Sequence, residues 1–437
     1  MKPLALVTIA LSVAGLTFAA ALAVGQESGP LREGLPGAST LAVAGPDSID
    51  PIYDFPPNCL PIIGLPNSGI NKLLANVSGE DVRIAVLAEL SGQYAAYGRA
   101  WRDGIQLAVD AANAKGGIIG RPVVLEVTDV GAASPGPAAA AEALIKNPPF
   151  AVFGPVEEGA AQAALAIVRR VQTPMVLGTA GIDLQSFPES WVTRGQPNAQ
   201  SRLMQLVDHA RDEYKARSAA LLWADTDYGR STRDRLLGAF KRHSLQVVAD
   251  AKIVVGQEDF ANILARLRAD PPDVLFLMAH GKDSARLLAA LRRQGYNKPI
   301  LIDGDVVDAG FLAAAGENAN GLRGIAALHA AAPVARVRTM AARFAERFGY
   351  RPPAPGVNGF AAFGMLKGAV EKACSFNTRD LFKTWRNLML DTRADPGILM
   401  DLKIDWSGNM LRDEFVFEIR NGAPQIIKLQ RALSAYN

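Results

Sequence analysis

The chain has 437 residues, 49% hydrophobic and 20% charged, which excludes a disordered or fibrous protein and suits two globular domains. Its 46 basic and 43 acidic residues leave a net charge of +3 with no single-sign run, so nothing points to nucleic acid. Two isolated cysteines and four scattered histidines argue against a zinc site.

Lys2 precedes an almost unbroken apolar stretch, Leu4–Val24, in which Ala21-Leu22-Ala23 offers a small-residue cleavage site. Residues 1–25 read as a secretory signal peptide. The stretch is also long enough for an uncleaved inner-membrane anchor, since ~20 apolar residues span a bilayer. Residues 26–81 form a Pro-rich extension, with Pro30, Pro36, Pro46, Pro51, Pro56, Pro57, Pro61 and Pro66 among Gly and Ser. Such a run sustains neither helix nor central strand. It reads as an arm draped on the globular body or as a flexible spacer, with a short helix near Ile70–Asn76. Cys59 lies in this arm and Cys374 near the end of a later helix. The pair is compatible with an oxidising compartment, as a disulfide or as two separate buried thiols.

From Val82 onward, strand and helix alternate, which implies parallel sheets covered by helices. Val82–Leu87 is a short apolar run that suits a strand buried on both faces. A helix follows from about Gly98, with Ile105, Ala108, Val109 and Ala112 on one stripe. Gly116-Gly117 ends it, and Val123–Val127 is the next strand. Further along come a helix at Ala138–Lys146, strands at Phe150–Phe153 and Met175–Leu177, and a strand near Trp191–Arg194. A second run begins with a helix at Leu203–Tyr214. Strands at Ala219–Trp223, Gln246–Lys252, Val274–Met278 and Ile300–Ile302 follow, with a return strand at Gly321–Ala326. Val357–Cys374 and Thr378–Leu390 are helices. The tail reads as a strand at Leu399–Asp405, a turn at Trp406–Asn409, and strands at Phe415–Ile419 and Gln425–Leu429.

Catalysis has little support. The chain has no H-E-x-x-H, no G-x-S-x-G elbow, no Walker lysine loop and no G-x-G-x-x-G after a strand. No cofactor is expected.

Leu90-Ser91-Gly92, Tyr97-Gly98, Gly104, Ala108, Asn113-Ala114-Lys115-Gly116-Gly117-Ile118 and Gly120 together resemble the start of the periplasmic leucine/isoleucine/valine-binding protein family. These are the type I solute-binding proteins of ABC transporters, and the likeness runs from about Val82 to the C-terminus. It implies an α/β fold of the type I periplasmic-binding-protein kind, two doubly wound parallel-sheet lobes joined by a three-strand hinge. Lobe one would be 82–194 plus 328–395, and lobe two 195–327 plus 396–437. The crossings would fall near Thr193–Gly195, Ala326–Leu328 and Pro396–Leu399. The implied function is capture of a small molecule between the lobes by hinge closure, in the periplasm, as a monomer, for delivery to an ABC permease in the inner membrane. The alternative is a membrane-anchored sensor or scaffold of the same fold.

The resemblance also places candidate ligand residues. Ser91 and Tyr97 lie in the loop after the first strand, where open α/β sheets put their ligands. Glu157 and Glu158 open a helix, and Glu158 stands in the slot where amino-acid binders hold the ligand carboxylate with a serine. The other reading of these acids is complementation of the helix dipole. Thr179, Ala180 and Gly181 match a small-residue loop, with Gly181 standing where the family has a threonine. Tyr228 lies in a D-x-x-Y-G signature and would close over the ligand. His280 falls near a ligand-contacting tyrosine position. Asp303 or Asp305 would face the ligand's ammonium. Glu158 and Gly181 depart from the α-amino-acid clamp, which opens the ligand class to amides, polyols, cationic compounds or other small metabolites.

Overall fold

A computed structural model describes residues 80–432, apart from 132–135, 137–139, 141, 143, 145, 183, 185–190, 280, 305–306, 308 and 396. The apolar leader, the Pro-rich arm with its candidate helix, Cys59, His280 and Asp305 therefore lie outside the described residues. Cys374 is disulfide-bonded.

The first sheet holds five parallel strands in the order β2-β1-β3-β4-β5: β1 (Val82–Ala88), β2 (Val123–Asp129), β3 (Ala151–Phe153), β4 (Met175–Leu177) and β5 (Val192–Arg194). In β1, Ile84 and Val86 enter one core and Ala85 and Leu87 another. Burial on both faces is why the strand reads as a continuous apolar run instead of an alternating one.

The helix after β1, α1 (Ala95–Asn113), begins three residues earlier than its apolar stripe suggested. Gly98 sets its approach: a Cβ there would collide with the backbone of Glu89 at the end of β1. Next in this lobe is α2 (Glu158–Val171), whose Ala161, Ala164, Leu165 and Val168 cover the sheet's other face.

The second sheet has seven strands in the order β15-β14-β10-β9-β8-β6-β7. Its parallel part is β6 (Ser218–Ala224), β7 (Gln246–Ile253), β8 (Val274–Met278), β9 (Ile300–Asp303) and β10 (Arg323–Ala326). Its antiparallel edge is β14 (Glu414–Arg420) and β15 (Ala423–Gln430). Helices α3 (Ala199–Tyr214), α4 (Asp227–Arg242), α5 (Ala261–Ala269), α6 (Gly281–Arg293) and α7 (Ala309–Ala315) accompany it. Ala219 and Leu221 point into one core, Ala220 and Leu222 into the other.

The chain then returns to the first lobe. α8 (Ala335–Phe348), α9 (Ala354–Ala373) and α10 (Thr378–Trp385) share a core with β1 and α1. Apart from Pro355, α9 is buried from Ala354 to Val370, so it shows no solvent-facing stripe over that length. Its glycines let it lie against α1: a Cβ on Gly104 would strike the Gly356 carbonyl.

The tail differs from expectation in one respect. The turn at Trp406–Asn409 joins β12 (Leu402–Ile404) to β13 (Met410–Leu411), which with β11 (Met389–Leu390) form a separate three-stranded sheet. β14 pairs with β10 and β15 instead of closing that hairpin. Leu402, Ile404 and Met410 are buried in the first lobe's core, and that burial holds the hairpin there. Among the described residues no helix is long and apolar enough to cross a membrane.

Candidate functional site

The carboxyl ends of strands from both sheets surround a cavity. From the first lobe it is lined by Tyr94, Tyr97, Val156, Glu157, Glu158 and the loop Gly178–Gly181. Pro355 and Asn358 complete that side, and Gln196, Ala199, Arg202, Tyr228, Thr232, Arg235 and Asp303 come from the second. This is the position at which open α/β sheets bind ligands.

Each lining group is built by a local device. Glu157 is the N-cap of α2; its carboxylate accepts hydrogen bonds from Gly159 N at 2.9 Å and Ala160 N at 2.6 Å. One turn-start earlier, buried Glu89 accepts from Glu157 N at 2.9 Å and Val156 N at 3.3 Å. Burial raises the Glu89 carboxyl above its ordinary pKa, and those N–H groups oppose the rise. Tyr94, beside these acids, is pushed up to about 12, first by burial and then by Glu157, Asp227, Glu89 and Glu158.

Glu158 lies in the first turn of α2 but reaches out of it. Ser231 Oγ of α4 donates to its Oε1 at 3.2 Å, and Arg235 Nη2 lies 3.8 Å from the same oxygen. Burial raises this carboxyl, with Arg235 and then Ser231 pulling it down. Gly181 is what admits it: a Cβ on residue 181 would overlap the Glu158 carboxylate. Arg235 also donates to the Gly181 carbonyl and to Ser231 Oγ.

Thr179 Oγ1 accepts from Gly181 N at 3.2 Å, which shapes the small-residue loop. Arg194, buried at the end of β5, donates to the carbonyls of Ala180 (2.9 Å) and Ile182 and fixes that loop from below. On the opposite wall Asp303, buried at the end of β9, forms an ion pair with Arg202, Oδ1 to Nε at 2.9 Å. Nη2 of the same arginine donates to Oδ2 at 3.3 Å, and Tyr228 Oη donates to Oδ2 at 3.3 Å. The floor rests on a hydrogen-bonded chain: the Arg412 guanidinium Nη2 to Asn358 Oδ1 (3.4 Å), Asn358 Nδ2 to Gln196 Oε1 (3.1 Å), Gln196 Nε2 to the Gly178 carbonyl (2.7 Å).

Of the residues singled out in the sequence, Tyr97, Glu157, Glu158, Thr179, Ala180, Gly181, Tyr228 and Asp303 are brought together around the cavity. Ser91 is not among the lining residues; it bonds to Asp129, whose carboxylate also accepts from Leu90 N and Gly131 N and ties the loop down. His280 and Asp305 are outside the described residues. Arg202, Arg235, Gln196 and Asn358 escaped the sequence reading. The two arginines carried a signal: each interrupts an apolar stripe. Ala199, Arg202, Leu203 and Leu206 share one face of α3, and Thr232, Arg235, Leu236 and Ala239 one face of α4. A charge on a core-facing stripe needs a partner. Among the described residues no cluster of His, Cys, Asp or Glu could hold a metal ion.

Two α/β lobes with a cavity between their strand ends define a two-lobed cleft-binding protein. The chain belongs to the periplasmic binding protein family, which it matches over residues 81–422. It is 27% identical over 305 residues to the Leu/Ile/Val-binding protein BraC3 of Rhizobium johnstonii, covering 69% of this chain and 82% of that one. A branched-chain amino acid transporter substrate-binding protein of Streptococcus pneumoniae, solved in complex with isoleucine, superposes with a TM-score of 0.68 at 20% identity, covering 80% of this chain and 99% of that one. A solute-binding protein of an ABC transporter from R. palustris, in complex with benzoate, gives 0.68 at 19%, covering 81% and 97%.

Proposed function

We propose that this protein is the periplasmic substrate-binding component of an ABC transporter of the branched-chain amino acid or amide type. It captures a small molecule in the interlobe cleft, closes about the hinge, and hands the molecule to a permease in the inner membrane. It acts as a monomer, without cofactor, and without turning the ligand over. The observation that carries this reading is the cavity itself, whose polar groups come from the strand ends of both sheets. A ligand touching both walls favours the closed state by its differential contacts.

We further assign the hinge to Thr193–Gly195, Ala326–Leu328 and a third crossing near Arg412–Asp413, later than Pro396–Leu399. The support is that Ile398, Leu399, Leu402, Ile404 and Met410 pack in the first lobe's core while Glu414 opens a strand of the second sheet. Residues 1–25 are read as the secretory leader.

The test is a thermal-shift screen of the mature, ligand-stripped protein against leucine, isoleucine, valine, short amides, urea, polyamines and benzoate. A true ligand at ~100 times Kd adds ~2.7 kcal/mol to the folded state. At least one compound is expected to produce such a shift; none doing so would count against the transport reading.

A further inference from the structure

Three anion-binding positions around the cleft are already filled by the protein's own carboxylates. Glu157 occupies the first-turn N–H groups of α2, and Glu89 occupies those of Val156 and Glu157. The third is Glu158, which differs from the other two because its partners sit on the other lobe. It leaves α2, passes over Gly181 and meets Ser231 and Arg235 on α4. Arg235 completes the bridge in the reverse direction by donating to the Gly181 carbonyl. Both charged side chains are about four-fifths buried, at 17% and 20% exposure, so solvent screens the pair only in part.

We propose that Glu158 is a built-in ligand mimic: with Arg235 it latches the two lobes together across the cleft, and its carboxylate excludes ligands that present a carboxylate at that end. This rests on the ligand-capturing reading of the cleft. A soluble ligand's carboxylate would have to displace Glu158 from Arg235 and Ser231, leaving two like charges in one partly buried corner. Such juxtaposition disfavours binding. A neutral amide or a cation meets no such repulsion. Gly181 belongs to the device, because any side chain there would drive the Glu158 carboxylate out of its place.

The latch is tested first by small-angle scattering of the ligand-stripped protein. The wild type should scatter as a closed molecule, whereas Glu158→Ala, Glu158→Gln and Arg235→Gln should show a larger radius of gyration. Circular dichroism confirms that each variant is folded, and Glu158→Gln preserves the side-chain shape should the alanine variant fail to fold. Equal radii in the wild type and in all folded variants would overturn the latch. The specificity half is read by titrating matched pairs, L-leucine with L-leucinamide and benzoate with benzamide. Wild type should prefer the amide of a pair by about tenfold or more, and Glu158→Ala should lose that preference. An unchanged preference, or a wild type that prefers the acid, overturns the exclusion. Silence from all four compounds would weaken the transport reading, while the scattering result still decides the latch.

Discussion

His329 shows how a single side chain can set a pH limit. Its Nδ1 accepts a hydrogen bond from Ala331 N at 3.0 Å, which requires that nitrogen to be unprotonated. Burial, with Arg351 adding to it, lowers the imidazole to about 4. The folded value lies below the unfolded one of about 6.5. The stabilisation from the neutral ring is therefore complete above pH ~6.5 and is lost as pH falls toward ~4. In urea titrations, the stability advantage of wild type over His329→Gln should shrink by on the order of 2–3 kcal/mol between pH 7 and pH 4; a gap that stays constant would contradict the assignment. Residue identity carried part of the site in the same way. Tyr97 and Tyr228 were legible because each stands in a recurrent motif near a strand end, whereas Asp303 was singled out only as one of two acids, with Asp305, near a family position. The partnership of Glu158 with Gly181 was legible only as two separate departures, since the carboxylate filling the missing side chain's space is a three-dimensional fact. Arg202 and Arg235 stand outside any motif, and only their misplaced charge betrays them.

At the scale of elements, the apolar periodicities located the central strands and most helices, because strands buried on both faces and one-sided helices leave strong patterns. The terminal hairpin was less legible. Phe415–Ile419 has the pattern of a buried strand, but pattern does not name a partner, and β14 pairs with β10 across a long separation in sequence. The α1–α9 contact likewise has no local signature beyond its glycines. Gly104 faces the Gly356 carbonyl so closely that even a methyl group does not fit. Gly104→Ala should force the helices apart and cost about 1–3 kcal/mol, as overpacking does. A chemical denaturation curve measures this, and an unchanged midpoint would show that the helices can shift without penalty.

For the whole molecule, what the local sequence could not show was how it divides. α8, α9 and α10 follow the second sheet in the chain but build the first lobe, through Val357, Phe360 and Phe363 packed with Trp101 and Ile105. This return leaves no local signature in the sequence. The consequence is functional: strands that cross between lobes form a hinge, and the cavity lies where their strand ends converge. Tyr97 and Tyr228 line it from opposite lobes, and each offers aromatic area with a polar tip. The most direct measurement is calorimetric titration of the compound that stabilises the protein most, into wild type, Tyr97→Ala and Tyr228→Ala. Cleft capture predicts one molecule per chain and about tenfold or greater weakening in each variant, equivalent to at least ~1.4 kcal/mol. Undiminished affinity in both variants would place the ligand elsewhere and contradict the account.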